Sequence, residues 1–252
     1  MAKQLLIYES AIPVTFAQHG EMSFDPSNDY GFSSGVNAVP LMAVEIVPAA
    51  AEYAIVFTES GEDVMPVAVL GVRPEQNLYL SSDSQWEAKY VPSFIRRYPF
   101  VFAISNDQQT LTLCIDETHP GFNREGRGQK LFGADNKPTA YVEQVLAFLK
   151  EYQVQFERTR AFGRRLKELN LLEPMQAELT SPGGEKTLIG GFLAVARSRL
   201  RTLSGEALTS LAKTDELELI YMHLYSMQNF NSVKDRFLSA AGKVATPEPV
   251  SA

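Results

Sequence analysis

The sequence predicts an α+β protein in which a β-rich N-terminal half, with antiparallel hairpins, packs against a helical C-terminal half that carries a further β-hairpin. Up to about residue 137, short apolar runs alternate with turns rich in Pro and Gly; from residue 138, apolar residues recur every three or four positions. A chain of 252 residues with 45% hydrophobic residues can also bury a sizeable core. We expect a β-rich region over 1–137 and a helical region over 138–238, which could form one continuous domain, and a disordered tail over 239–252.

The N-terminal half owes its β character to short runs of Val, Ile, Leu and aromatic residues. Six of these runs are predicted strands: 44–47, 54–58, 64–70, 77–80, 101–105 and 110–115. The pentapeptide between the second and third runs, residues 59–63, is rich in turn formers and predicts a hairpin. Residues 106–109 predict a similar turn between the last two runs.

The C-terminal half begins with a long amphipathic pattern that predicts a helix over 139–169. Gly163 is the candidate position for a break in it. Two apolar runs on either side of a Ser-Pro-Gly-Gly turn then predict the β-hairpin near 175–195.

Two shorter helices are predicted after the hairpin. Ser204 starts the first, which runs to about Lys213. Asp215 is expected to cap the last helix, which runs to about Asn229 and is apolar on most sides. We therefore expect this last helix to be buried.

Charge and hydropathy restrict the partners and the location. Twenty-three Lys and Arg against 30 Asp and Glu leave a net charge of −7, so we expect no nucleic-acid partner. No stretch approaches the roughly 20 apolar residues that span a bilayer, and the first apolar run is too short for a signal peptide. We expect a soluble protein that is cytoplasmic by default, with leaderless export to the cell surface as an open alternative.

A single cysteine excludes an intrachain disulfide and a zinc site made of several thiolates, and the sequence predicts no cofactor.

The segment 85–100 is the densest candidate site. It holds the single tryptophan of the chain, two adjacent arginines and several other aromatic residues. Such a cluster can stack on and clamp a planar or anionic ligand, or serve as a hot spot for a protein partner. The alternative is that the aromatic residues fill the core and the arginines pair with carboxylates. The candidate binding residues are Trp86, Tyr90, Arg96, Arg97 and Tyr98.

A second candidate site lies near the end of the last predicted N-terminal strand. Asp116 and His119 could bind a divalent metal together with a second histidine. His223, in the last predicted helix, and His19, in a polar loop, are the two available partners, and His223 in an apolar helix also fits a hydrogen-bonded core residue. Cys114 could be a nucleophile, but its neighbours are typical of a buried strand.

Several segments together resemble one bacterial family. They are residues 37–41 with Glu45, 53–57, 86–100, and 217–226, and the segment 86–100, WEAKYVPSFIRRYPF, is the most specific. They resemble the SapC family, soluble bacterial proteins named after a surface-layer-associated protein, over roughly residues 8–230. Ala54 departs from the proline expected in the family, and Met222 departs from a small residue.

The resemblance implies an accessory or interaction protein, associated with a bacterial surface layer or an outer-membrane uptake system, that acts by binding rather than by catalysis. It implies a protein partner or self-association, and binding of a small ligand is also possible under it. It identifies no catalytic residues. An unrelated membrane permease bears the same name, and the lack of an apolar span argues against it. The alternative is an uncharacterised, metal-dependent enzyme that uses Asp116, His119 and His223.

Overall fold

The chain has the predicted α+β fold in a computed structural model that describes residues 6–105, 110–180 and 186–244. Its strands are β1 (Ala11–Pro13), β2 (Ser23–Phe24), β3 (Ala38–Pro40), β4 (Ile55–Ser60), β5 (Asp63–Val69), β6 (Phe100–Ile104), β7 (Leu111–Asp116), β8 (Phe122–Asn123), β9 (Gln129–Lys130), β10 (Leu172–Thr180) and β11 (Lys186–Val195). Its helices are α1 (Phe16–His19), α2 (Ile46–Ala49), α3 (Ser93–Arg96), α4 (Ala140–Glu168), α5 (Arg197–Arg201), α6 (Gly205–Lys213), α7 (Glu216–Ser226) and α8 (Phe230–Val244). Among the described helices, none is long and apolar enough to cross a lipid bilayer.

The largest sheet is antiparallel and has the strand order β10-β11-β4-β5-β3. Its centre is buried on both faces, because Ile55 and Phe57 pack into one apolar cluster and Val56 and Val67 pack into another. Successive residues of a strand point to opposite faces, so an unbroken apolar run can supply two cores. The predicted hairpins β4–β5 and β10–β11 are both present, with Gly61 at φ 65° in the first turn. The last two predicted N-terminal strands also pair antiparallel, as β6 and β7.

Two smaller antiparallel sheets have the orders β1-β7-β6 and β8-β2-β9. They surround a third apolar cluster that includes Phe24, Phe100, Ile115 and Leu131. This arrangement places the ends of β2, β6 and β7 near the first turns of α4, which contribute Val142 to the same cluster.

Helix α4 is continuous over 29 residues, so the predicted break at Gly163 does not occur. A Cβ atom at Gly163 would lie 1.9 Å from the carbonyl oxygen of Val64 in β5. The glycine therefore lets the helix backbone approach the sheet closely, and the approach compensates for its poor helix propensity. Leu149 packs in the third cluster and Leu166 in the first, so α4 contributes to both of these cores.

Several sequence-based expectations need correction. Residues 44–47 are predicted as a strand but form helical turns, and residues 77–80 contribute only an isolated bridge between Leu80 and Trp86. Short apolar runs do not distinguish buried helical turns from strands. The predicted turns at 106–109 and at the tip of the second hairpin lie outside the described residues.

The C-terminal helices also differ from expectation. Ser204 caps α6 as predicted, since its hydroxyl accepts from the N–H of Ala207, but Asp215 makes no side-chain cap and lies at φ 59°. Helix α7 is not buried all round, because Tyr221 is 48% exposed and Tyr225 is 55% exposed. Helix α8 extends to Val244, so residues 239–244 of the expected tail are helical, and residues 245–252 lie outside the described residues.

Candidate functional site

A cleft of about 340 Å³ opens between the loop after β2, the segment from α3 into β6, and the first turns of α4. Three of the five predicted binding residues, Arg96, Arg97 and Tyr98, line it, and so does His119. Its volume is at the small end of the range of about 300–1,000 Å³ found for ligand pockets.

The α4 wall of the cleft consists of Tyr141, Gln144, Val145 and Phe148. Their spacing places them on one face of the first two turns of the helix. The Thr139 hydroxyl, which accepts from the N–H of Val142, fixes where the helix starts. The sequence-based interpretation missed Tyr141 and Phe148, although the face that they share with Val145 was visible in the i, i+4, i+7 pattern.

Aromatic rings form most of the remaining surface of the cleft. The Phe32 ring stacks on the Tyr98 ring with 4.0 Å between centroids, and the Tyr98 ring lies 5.4 Å from the His119 ring. Burial raises the pKa of Tyr98 and that of Tyr141 to about 12, so both hydroxyls are protonated at neutral pH. The cleft therefore offers flat apolar surfaces edged with neutral hydroxyl groups.

Arg96 is the exposed cation of the cleft. Its Nε–H donates to the carbonyl of Val91 at 2.9 Å, and its guanidinium carbon lies 5.5 Å from the centre of the Phe148 ring and 5.9 Å from that of Tyr90. Among the described residues, no carboxylate forms an ion pair with Arg96. The bond to Val91 and the two rings hold the guanidinium at the cleft, within hydrogen-bonding reach of the Tyr90 hydroxyl, and no carboxylate of the described residues neutralises its charge.

Arg97 has a different environment, because it is buried among aromatic rings. Its guanidinium carbon lies 4.4 Å from the centroid of Phe94, 4.8 Å from that of Tyr152 and 5.7 Å from that of Tyr8. Only 5% of the residue is exposed. Arg97 thus adds positive charge behind the surface of the cleft while it stabilises the core through cation–π contacts.

Trp86 and Tyr90 do not line the cleft but support it from behind. The Trp86 Nε1–H donates to the Tyr53 hydroxyl at 2.8 Å, and that hydroxyl donates to the carbonyl of Tyr90. The Trp86 ring also packs edge-to-face on Tyr30, a residue of the cleft wall, at 5.7 Å. The two residues are therefore close to the site, in positions that stabilise it.

Glu45 is the residue that organises this support, and its role was not predicted. Its buried carboxylate accepts four hydrogen bonds: from the N–H of Met42 (2.8 Å), the hydroxyl of Tyr90 (2.6 Å), and the N–H and hydroxyl of Ser93 (2.7 and 2.6 Å). It fixes Ser93, the first residue of α3, and α3 carries Arg96. The signal in the sequence was a single acidic residue inside an otherwise apolar stretch.

Comparison with known families gives a match to SapC over residues 14–233. The chain belongs to the SapC family. The matched region contains every residue that lines the cleft, from Phe24 to Phe148. No curated protein and no solved structure matches this SapC chain.

The three candidate metal ligands of the SapC chain serve separate structural purposes. Asp116 is buried, and its carboxylate accepts from the N–H of Glu9 (2.7 Å) and from the hydroxyl of Thr118 (2.8 Å). His223 lies in the central core, where Nδ1–H donates to the carbonyl of Ile55 (2.9 Å) and Nε2 accepts from the N–H of Val195 (3.0 Å). Within residues 6–105, 110–180 and 186–244, no group of three His, Cys, Asp or Glu side chains is placed to hold a metal ion.

His119 is the member of that set that reaches the cleft. Its Nδ1 accepts from the N–H of Gly121 at 2.9 Å, so Nε2 carries the proton of the neutral ring. Burial lowers the pKa of His119 below its ordinary value of 6.5, which keeps the ring neutral at pH 7. We find no hydrogen bond to Nε2 from the described residues.

The other two candidate groups are inside the fold. His19 does not lie in a mobile polar loop as expected; it is fully buried in α1, and its Nε2–H donates to Glu117 at 3.0 Å. Cys114 is buried in β7, and burial raises the pKa of its thiol. A protonated, buried thiol is a poor nucleophile.

Proposed function

We propose that this SapC-family protein acts by binding rather than by catalysis, and that the cleft at Arg96 is its binding site. The observation that carries the proposal is the guanidinium of Arg96, held at an aromatic cleft without a carboxylate partner among the described residues. Cationic groups at protein surfaces normally find solvent or an acidic neighbour, and one fixed over apolar rings is suited to an incoming anion.

The polar groups of the cleft support binding over catalysis. The Asp29 carboxylate accepts from the N–H of Gly31 at 2.7 Å, and His119 Nδ1 accepts from the N–H of Gly121, so both side chains hold turns of their own loops. A general base acts through a free lone pair, and the single basic nitrogen of the neutral His119 ring already accepts a hydrogen bond.

The proposal is tested by ligand-observed NMR with a set of neutral, anionic and cationic aromatic fragments. Gln144→Trp places a bulky side chain in the cleft, and Lys150→Trp places the same side chain on an exposed part of α4 outside the lining. We expect fragments that bind the wild type and Lys150→Trp but lose saturation transfer with Gln144→Trp. If no fragment separates the two variants, the cleft is not a binding site.

We also propose that the protein is accessory to a bacterial surface layer or an outer-membrane uptake system, through a protein partner or self-association. Family membership is the support for this part of the proposal. Cross-linking in the native host followed by cell fractionation tests it. Cross-links to surface-layer or outer-membrane components are expected, whereas a cytosolic protein without such cross-links would contradict the association.

A further inference from the structure

We propose that the ligand of the cleft is a planar, conjugated molecule that carries a carboxylate. This inference rests on the proposed function of the cleft as a binding site. It names the chemistry of the ligand from three features: the arrangement of the rings, the charge of the lining, and the hydrogen-bond donors of the lining residues.

The rings that line the cleft pack on one another, which fixes their positions. Tyr98 is stacked on Phe32 at 4.0 Å and an interplanar angle of 24°, and Tyr141 is stacked on Phe24 at 6.2 Å and 21°. Fixed aromatic faces favour a planar guest through offset or edge-to-face packing. A flexible aliphatic chain would lose more conformational entropy on binding and gain less from such surfaces.

The charge of the lining favours an anion. Arg96 carries the exposed positive charge of the lining, and Arg97 is buried behind the surface. Asp29 is the negative residue of the lining, and the nearby Asp116 is buried and accepts hydrogen bonds from Glu9 and Thr118. His119 adds no charge at neutral pH, because burial lowers its pKa.

The donors favour a carboxylate over a more highly charged group. The terminal amino groups of Arg96 form a planar fork that matches two carboxylate oxygens. His119 also lines the cleft, and its neutral ring carries a proton on Nε2. A singly charged, planar carboxylate matches the one exposed guanidinium, whereas a phosphate dianion would leave one negative charge without compensation.

Isothermal titration of the wild-type protein with four probes tests the inference. The probes are naphthoate, naphthalenemethanol, cyclohexanecarboxylate and inorganic phosphate. We expect naphthoate to bind at least about tenfold more tightly than each of the others, because the alcohol lacks the charge, cyclohexanecarboxylate lacks the planar ring system, and phosphate lacks any apolar part.

Two arginine variants assign the preference to the cleft. Arg96→Gln should bring the dissociation constants of naphthoate and naphthalenemethanol within about threefold of each other, by loss of a charge-assisted bond. Arg158→Gln, which removes an exposed arginine of α4 outside the cleft, should leave the preference unchanged. Equal thermal unfolding midpoints of the two variants would show that Arg96→Gln has not acted by unfolding the protein.

The outcomes separate this inference from the proposal on which it rests. If naphthalenemethanol binds the wild type as well as naphthoate, and Gln144→Trp abolishes both, the cleft binds ligands but the carboxylate inference is wrong. If cyclohexanecarboxylate binds best, the inference that the ligand is planar and conjugated is wrong. If phosphate binds best, the inference that the anionic group is a carboxylate is wrong. If the cleft binds fragments in the NMR test but neither naphthalene probe, the inference is wrong and the proposed function stands. If Gln144→Trp changes nothing, both are wrong.

Discussion

The buried carboxylate of Glu45 connects the core of the protein to its cleft. It accepts hydrogen bonds from Tyr90 and Ser93 on one side and from the backbone of Met42 on the other. Burial of a carboxylate is costly unless donors satisfy it, and here four donors do so. The position of the α3 segment therefore depends on one side chain.

We predict that Glu45→Gln lowers the free energy of unfolding by about 2–4 kcal/mol, because a neutral amide replaces a charged acceptor and directs N–H groups at other donors. Chemical denaturation measures this change. Glu168→Gln, an exposed residue at the end of α4, is the matched control and should change stability by less than about 0.5 kcal/mol. Equal effects of the two substitutions would contradict the structural role of Glu45.

His223 makes the stability of the protein sensitive to acid. Burial lowers the pKa of His223 from 6.5 to about 4. The unfolded chain takes up a proton at a higher pH than the folded chain does, so protonation favours unfolding. The contribution of the neutral ring is complete above about pH 6.5 and is lost as the pH falls toward about 4, by roughly 3 kcal/mol in total.

The variant His223→Gln keeps one donor and one acceptor but does not titrate. We expect the difference in unfolding free energy between the wild type and His223→Gln to shrink by about 3 kcal/mol from about pH 7 to about pH 4. Denaturant titrations across this range measure the difference, and carboxylates common to both proteins cancel. A difference that stays constant with pH would show that His223 does not titrate as its burial requires.

At the scale of elements, α4 illustrates why a glycine can be needed inside a helix. Its closest approach to β5 is at Gly163, where the carbonyl oxygen of Val64 occupies the space of a side chain. The apolar periodicity of α4 predicted the helix correctly, because amphipathic patterns report local geometry. The close approach depends on a strand about 100 residues away in sequence, and no local pattern contains it.

Gly163→Ala tests the close approach. An alanine would ordinarily stabilise a helix interior by about 1 kcal/mol, but here we expect a loss of about 1–3 kcal/mol from overpacking against β5. Gly205→Ala at the start of α6 is the control, since nothing lies within 4 Å of its added Cβ atom. Thermal unfolding of both variants measures the effects, and a more stable Gly163→Ala would mean that α4 and β5 are farther apart.

At the scale of the whole molecule, the β-rich and helical regions share one core. The central cluster contains Val39 and Tyr53 from the first region, and Phe162, Leu211 and Ile220 from the second. Regions that share a core lose it together, so we predict a single cooperative unfolding transition for residues 1–137 and 138–238.

Two probes report on the two regions separately. The fluorescence of Trp86, the single tryptophan, follows the first region, and far-UV circular dichroism is dominated by the helices of the second. We expect equal midpoints in denaturant, and we expect Leu211→Ala to shift both curves equally, at a cost of about 2–5 kcal/mol. Midpoints that separate would indicate two independent domains.

The candidate site was only partly predictable from the sequence. The segment 85–100 identified Arg96, Arg97 and Tyr98, because aromatic and arginine residues were concentrated in one stretch. The α4 wall, with Tyr141 and Phe148, begins about 40 residues later, and its face toward the cleft is set by how the helix packs. Trp86 belongs to the same dense stretch but lies behind the cleft wall. Tertiary contacts decide on which side of the wall each residue of the stretch lies.

The sequence by itself determined the α+β class, both hairpins, the long helix and the likeness to the SapC family, since each depends on local periodicity, turn residues or motif identity. Only the tertiary structure decided which polar groups are free. It left Arg96 without a carboxylate partner among the described residues, and it placed Asp116 and His223 in structural hydrogen bonds. Whether a charged or titratable side chain is available for function depends on its neighbours in space, and those neighbours come from distant parts of the chain.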